Sequence, residues 1–232
     1  MDKSKREFGE GPVYTITNYI YWFLVSNIYF MLVNIPIISI IGVAFYIGLE
    51  KIPEGFYYIV FISSIPMGPA MAALLSVMGK LAREKSINAT RDFFKAYKTN
   101  FIQSLITWTA EIIIMCILVF DVKFIRLKGY PENINTLIFV IMIFIFLLNI
   151  YIFPIISRFY LKTSDILKIS AYYMVKKFNI TILNVLSFVV VGFIFVKIST
   201  IIMLFGASII SYSLMFNEQK ILSEIEDKIK ED

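Results

Sequence analysis

The chain has 232 residues, of which 59% are hydrophobic and only 17% are charged, and its net charge is +5. Soluble proteins average about 45–50% apolar residues, so a soluble domain of this size is excluded. The sequence has no histidine and a single cysteine, Cys116, which excludes histidine-based metal sites and triads and any intrachain disulfide. We expect one all-α, polytopic membrane-embedded domain over residues 1–232, with about six transmembrane helices and two amphipathic cytoplasmic connector helices.

The N-terminal part predicts an interfacial segment followed by a kinked span. Residues 1–17 are polar at first and are interrupted by glycine and proline, so a short cytoplasmic or interfacial segment is expected. The first apolar segment, about 18–47, is too long for one straight crossing, and Pro36 should kink or end its straight part. Asn27 and Asn34 share a face, where they either hydrogen-bond between helices or contact a substrate.

The second apolar segment, about 56–79, is predicted to be bent. Pro66 and Pro69 lie inside it, and the carbonyl groups freed at such a break need other donors. Small residues recur at near-helical spacing, namely Gly68, Ala72, Ser76 and Gly79. They favour close packing against another helix. The alternative is a discontinuous helix that forms a binding site.

A basic, amphipathic connector follows, over about 79–100. It has the densest group of basic residues in the chain, which are Lys80, Arg83, Lys85, Arg91, Lys95 and Lys98. Asn88 or Thr90 can cap a short helix here. Its apolar face would hold Phe93, Phe94, Tyr97 and Phe101. Such a helix lies on a membrane surface or docks on a partner. In the second case the docking motif is expected to consist of Arg91, Asp92, Phe93, Phe94, Lys95, Tyr97, Asn100 and Phe101.

Four further apolar segments are predicted, at about 101–121, 134–157, 178–196 and 199–216. A second connector helix is expected at about 165–177, and the tail 217–232 reads as a cytoplasmic amphipathic helix that follows the bundle 18–216.

Two polar residues lie inside these later apolar segments. Glu111 is near the middle of the third, where a carboxylate is costly, and Asn149 is in the fourth. Glu111 is either a structural hydrogen-bonding group or a residue with a transport or partner role.

Several motifs in the first half of the chain resemble the YesL family of uncharacterised membrane proteins from Gram-positive bacteria. Gly68-Pro69-Ala70 with Ala73-Leu74 resembles its GPA-x-x-AL turn, and Phe8-Gly9-Glu10-Gly11 resembles its FG-x-G. The run from Asn27 to Pro36 and on to Gly42 resembles its first-helix pattern. Its RDFFKAF…NF segment is matched by Arg91, Asp92, Phe93, Phe94, Lys95, Ala96, Tyr97, Asn100 and Phe101.

The resemblance implies a role beside carbohydrate ABC importers, because genes of YesL-like proteins often neighbour them. The expectation is a non-enzymatic accessory or scaffold subunit of an oligosaccharide uptake system, without a cofactor, nucleic acid or nucleotide. Its partners would be the lipid bilayer and the permease subunits, since the chain lacks the EAA-type signature of a permease. An independent small-solute transporter is the alternative, and a membrane enzyme a third.

The basic residues predict the orientation. With six spans, seventeen of the 22 Lys and Arg residues fall on one side, together with both termini and both connectors. The positive-inside rule places that side in the cytoplasm, so the protein is expected in the cell membrane with cytoplasmic termini.

Overall fold

The computed structural model describes residues 11–53, 55–197 and 203–231. The Phe8-Gly9-Glu10 part of the N-terminal motif and residues 198–202, where the last predicted apolar segment begins, lie outside these ranges. The described chain forms ten α-helices and a short 3-10 turn at Leu49–Lys51, with 3-10 geometry also at Met203 and Leu204 and no strand in those ranges. The helices are α1 (Pro12–Val33), α2 (Ile35–Ile47), α3 (Phe56–Ser63), α4 (Met67–Glu84), α5 (Ala89–Leu127), α6 (Glu132–Arg158), α7 (Thr163–Lys176), α8 (Phe178–Lys197), α9 (Gly206–Asn217) and α10 (Gln219–Glu231).

Four of these helices, α1, α5, α6 and α8, are long and apolar enough to cross a membrane. The pair α3 and α4, bent by 42° at a short break, makes a fifth candidate span. The all-α, polytopic architecture is therefore confirmed, with four or five candidate spans in the described ranges where about six were predicted. The predicted sixth segment contains α9, whose 12 residues cover only about 18 Å of a roughly 30 Å hydrocarbon layer.

The first apolar segment divides at Asn34. α1 ends there, and α2 begins at once with Pro36 in its first turn. Proline is tolerated in a first turn because the backbone N–H groups there have no acceptor within the helix. The 30-residue apolar segment thus becomes two helices in sequence.

The first connector is not the separate short helix that the sequence predicts. It is continuous with the third span, and together they form α5, which has 39 residues and a length of about 58 Å. No glycine or proline lies between Asn88 and Leu127 to interrupt it. The N-cap is as expected, since the Asn88 side chain accepts a hydrogen bond from the Arg91 backbone N–H at 3.1 Å. The second connector helix, α7, and the amphipathic tail helix, α10, are present.

Helix α4 lies at the centre of the bundle and packs against α1, α5, α6 and α9. Its small residues are packing positions in the structure. A side chain at Gly68 would collide with Trp108 of α5, and one at Gly79 would collide with Met215 of α9. Helix α1 contacts α9 through Tyr19 and Phe23, and α5 through Tyr29, so it bridges these two helices over α4.

The bundle has two distinguishable ends. We define the basic end as the one where α4 ends, α5 begins and α6 ends, with α7 and α10 beside them. Ion pairs join these elements there, between Lys80 and Asp92 at 2.8 Å, Arg158 and Glu226 at 2.6 Å, and Lys176 and Glu224 at 3.4 Å. At the far end, the Lys123 ammonium lies 4.2 Å from the ring centre of Tyr57.

Candidate functional site: a polar pocket and an exposed stripe at the basic end

A polar pocket of about 260 Å³ opens at the basic end, between the last turns of α4, the first turns of α5 and the end of α6. Its charged and amide-bearing lining residues come from all three helices, with a serine hydroxyl beside them. They are Lys80, Asp92, Lys95, Asn100, Ser157 and Arg158. The pocket therefore combines three cationic groups with one carboxylate.

The spacing of residues along α5 places half of this lining on one helical face. Lys95 and Ala96 follow Asp92 by three and four residues, and Thr99 and Asn100 each lie four residues after one of these two. All five line the pocket and lie on neighbouring turns of one face. Three of the residues that the sequence groups as a docking motif, Asp92, Lys95 and Asn100, thus meet in a cavity wall.

Lys80 and Asp92 neutralise each other inside the pocket. The Lys80 ammonium donates to both carboxylate oxygens of Asp92, at 2.8 and 3.0 Å. The Asp92 carboxylate also accepts the Asn88 backbone N–H at 3.1 Å. Among the described residues, Lys95 has no ion-pair partner, so the pocket keeps an excess of positive charge.

Arg158 is only partly engaged. Its side chain is 12% exposed, and its Nη2 donates to a carboxylate oxygen of Glu226 in α10 at 2.6 Å. Its Nη1 is buried and forms no hydrogen bond within the described part of the chain. A buried guanidinium nitrogen without an acceptor is costly, since an unsatisfied charged donor loses its hydration.

The aromatic residues of the docking motif are divided between the interior and the surface. Phe93 is fully buried, while Phe94 is 50% exposed. Both rings pack on Tyr29 of α1, whose hydroxyl lies 2.9 Å from that of Thr90. Tyr97 and Phe101 are half-buried. Phe93 is thus an interior residue, and the predicted four-residue apolar face is not exposed as a unit.

A different set of residues faces outward on the first turns of α5. We call Arg91, Phe94, Lys95 and Lys98 the exposed stripe, because all four are exposed and their spacing of three and four residues puts them on one face. It mixes one aromatic ring with three cations.

The residues singled out for helix breaks lie away from the pocket. Pro36 is exposed in the first turn of α2, and open space surrounds Gly42. Pro66 is the N-cap of α4, directly after the break, and Gly68, Pro69 and Ala70 are buried in its first turn. Of these four, Gly68 lies directly against Trp108 of α5.

The two asparagines of α1 have separate environments. Asn27 bridges helices, since its Nδ2 donates to the Met203 carbonyl at 3.0 Å and its Oδ1 accepts the Ser208 backbone N–H at 3.2 Å. Asn34 instead donates to the Phe30 carbonyl of its own helix at 2.8 Å. Its Oδ1 is buried without a partner among the described residues.

Glu111 and Asn149 meet across the interface of α5 and α6. The Asn149 Nδ2 donates to the Ile145 carbonyl at 2.9 Å. Glu111 Oε2 and Asn149 Oδ1 are both buried and have no hydrogen-bond donor within the described ranges. A protonated Glu111 carboxyl could donate to Asn149 Oδ1 and satisfy both groups.

A second buried carboxyl group, Glu218, was missed by sequence reasoning. It lies between α9 and α10, is fully buried, and accepts a hydrogen bond from Asn184 Nδ2 at 2.7 Å. Asn184 Oδ1 in turn accepts from Asn217 at 2.9 Å. Burial raises the pKa of Glu218 well above its ordinary value, and the Asn184 hydrogen bond opposes that rise. Asn184, an amide inside an apolar segment, was the available signal.

The fold and these sites define a polytopic α-helical membrane protein with a polar pocket at one end. The sequence model of a family described as "Protein of unknown function, DUF624" matches residues 23–122. That segment includes α4, most of α5 and the motifs at Gly68 and Arg91. No curated protein and no solved structure matches the chain.

Proposed function

We propose that the protein is a non-enzymatic accessory subunit of a carbohydrate ABC uptake system, located in the cytoplasmic membrane. The observation that carries this proposal is the exposed stripe, because it presents an aromatic ring and basic groups on a rigid helix end. The carbohydrate importer is suggested by the resemblance of the α4 and α5 motifs to YesL-like proteins.

The position of the stripe along α5 favours contact with a protein outside the hydrocarbon. Residues 99–120 contain a single charged residue, Glu111, and their 22 positions are enough for one crossing of about 33 Å. Residues 89–98 then extend about 15 Å beyond it as a continuation of the same helix. The partner would therefore meet a prepositioned surface, which lowers the entropic cost of association.

The chemistry of the stripe also suits a protein partner. Aromatic residues and arginine dominate the binding energy of protein interfaces, at roughly 2 kcal/mol or more for a central anchor. Phe94 and Arg91 supply that pair. We infer that the basic end is cytoplasmic, since the positive-inside rule favours this orientation, and the permease subunits would then be contacted from that side.

The experiment compares two double variants in affinity purification from the native membrane under mild detergent. Arg91→Ala with Phe94→Ala removes the stripe anchors. Lys177→Ala with Phe178→Ala removes the same kinds of side chain at the basic end, outside the stripe. We expect the first variant to release a co-purifying permease subunit and the second to retain it, with equal amounts of inserted protein.

If both variants co-purify the same amount of permease subunit, the exposed stripe is not part of the interface. Thermal unfolding of each purified variant is the necessary control, because Phe94 packs against Tyr29. If only the stripe variant has a lower thermal unfolding midpoint, the loss of the permease subunit is explained by misfolding.

An independent small-solute transporter is the second candidate. It is favoured by Glu111 and Asn149, which meet inside the bundle and each keep a buried oxygen without a partner among the described residues. Intramembrane ionisable residues often belong to ion or substrate pathways. Uptake of solute by vesicles that contain this protein alone, and its loss in Glu111→Gln, would favour the transporter over the accessory subunit.

A further inference from the structure

We propose that the pocket at the basic end binds a phosphate group, supplied either by an anionic phospholipid headgroup or by a soluble phosphate ester. This inference goes beyond the accessory function and does not depend on a protein partner. It rests on the donors that converge on the cavity and on their incomplete pairing.

Arg158 is the central anchor. Glu226 holds one side of its guanidinium through Nη2 at 2.6 Å, which fixes the orientation of the planar group. Nη1 remains buried and unpaired among the described residues, and Arg158 itself lines the cavity. The part of the guanidinium that lines the cavity can donate to a phosphate oxygen without breaking the Glu226 pair, because a guanidinium carries five N–H groups.

Lys95 and Asn100 supply the opposite wall. Lys95 has no ion-pair partner within the described ranges. Asn100 is buried, lines the cavity, and its side-chain amide forms no hydrogen bond with the described residues. An ammonium group, an amide and the guanidinium nitrogen together offer more N–H donors than the two oxygens of a carboxylate accept. The three or four oxygens of a phosphate match that number better.

The one carboxylate in the pocket does not oppose an anion strongly. Asp92 is held by both Lys80 contacts and by the Asn88 backbone N–H. Its charge is thus balanced before a ligand enters. The cavity, about 260 Å³, is smaller than the roughly 300–1,000 Å³ of drug-sized sites, which suits a phosphate with a small polar substituent.

The location fits both sources of phosphate. Lys80 and Arg158 lie in the last turns of α4 and α6, where apolar helices leave the hydrocarbon and lipid headgroups begin. The cavity also opens beside the exposed first turns of α5. A headgroup could enter from the membrane, and a soluble ester from the water.

The test uses the full chain in detergent and in nanodiscs. Calorimetry in neutral detergent with inorganic phosphate and with glycerol 3-phosphate, at ionic strength matched with chloride, measures the soluble source. Native mass spectrometry after release from nanodiscs of phosphatidylglycerol or of phosphatidylcholine measures retained lipid. Saturable binding in detergent identifies a soluble ester, and selective retention of phosphatidylglycerol identifies the lipid headgroup.

Lys95→Gln and Lys98→Gln form a matched pair of variants. Both lysines are exposed on the same stripe, one turn apart, but only Lys95 lines the cavity. We expect Lys95→Gln to weaken phosphate binding about tenfold, the usual effect of losing one charge-assisted hydrogen bond, while Lys98→Gln binds as the wild type does. Equal effects of the two substitutions would indicate attraction to surface charge alone and would overturn the proposal. The proposal would also be overturned if the wild type bound neither inorganic phosphate, nor glycerol 3-phosphate, nor phosphatidylglycerol.

Discussion

The indole N–H of Trp108 in α5 donates to the carbonyl oxygen of Ser64 at 2.7 Å, across the break between α3 and α4. The same indole lies against Gly68 in the first turn of α4. A broken helix in a membrane exposes backbone carbonyls that water cannot reach. The Trp108 side chain therefore provides a hydrogen-bond donor for a carbonyl group freed at the break, and it fills the space left by the missing side chain of Gly68.

This arrangement predicts that Gly68→Ala destabilises the protein by about 1–3 kcal/mol, the usual cost of overpacking. The added Cβ would meet both Trp108 and the Ser104 carbonyl oxygen, the latter at 2.8 Å, and backbone atoms yield little. Gly42→Ala is the matched control. It meets nothing within 4 Å in α2 and should gain up to about 1 kcal/mol from helix propensity. The midpoint of thermal unfolding in detergent measures both, and equal midpoints would contradict the close approach.

Glu218 predicts a pH dependence of stability. Because burial raises its folded-state pKa above the ordinary 4.5, the folded protein binds the proton more tightly than the unfolded chain. Its stabilising contribution is complete below about pH 4.5 and is lost as the pH rises through the folded pKa. Unfolding midpoints of the wild type should therefore fall with rising pH across that window, and those of Glu218→Gln should fall less.

The difference between the two proteins isolates Glu218 from other titrating groups. Hydrogen bonds from Lys230 and Arg158 lower the pKa of Glu226. The Glu226 carboxyl therefore changes stability at lower pH, and it does so equally in the wild type and in Glu218→Gln. Parallel curves for wild type and Glu218→Gln would show that the carboxyl is not the titrating group.

Glu111 predicts a contrast between two substitutions. Glu111→Gln keeps a donor that can reach Asn149 and should leave the unfolding midpoint nearly unchanged. Glu111→Leu removes it and should cost about 1 kcal/mol, typical of an interhelical hydrogen bond in a membrane. If the leucine variant is as stable as the wild type, the two side chains do not support each other.

The orientation predicts the behaviour of reporter fusions. A periplasm-type reporter that works only outside the cell should be active when fused after Gly129, in the turn between α5 and α6. It should be inactive after Lys85, in the turn between α4 and α5. The reverse pattern would invert the topology.

Composition and periodicity were sufficient for the all-α membrane fold, the bend near Pro66, and the helices α7 and α10. They did not predict that α5 is continuous, because an amphipathic stretch and an apolar stretch look separate in sequence even where no residue breaks the helix. They also favoured a longer final span than α9 provides.

The pocket was only half predictable. Asp92, Lys95 and Asn100 stood out as one motif. Ser157 and Arg158 are more than fifty residues away in sequence, and only the packing of α6 against α5 brings them to the pocket. The same limit applies to Glu218, which in the sequence resembles the first charge of a polar tail. Its burial depends on Asn184 of another helix.

The central position of α4 has a consequence for how the protein enters the membrane. α4 counts as a candidate span only together with α3, and it carries Lys80, Arg83 and Glu84 in its last turns. A translocon inserts each segment according to its own hydrophobicity, and α4 combines these charges with seven glycine, alanine and serine residues among its 18. Its insertion therefore relies on α3 and on the arrival of α5. The three helices are consecutive in the chain, so we expect the centre of the bundle to be assembled as one unit during translation.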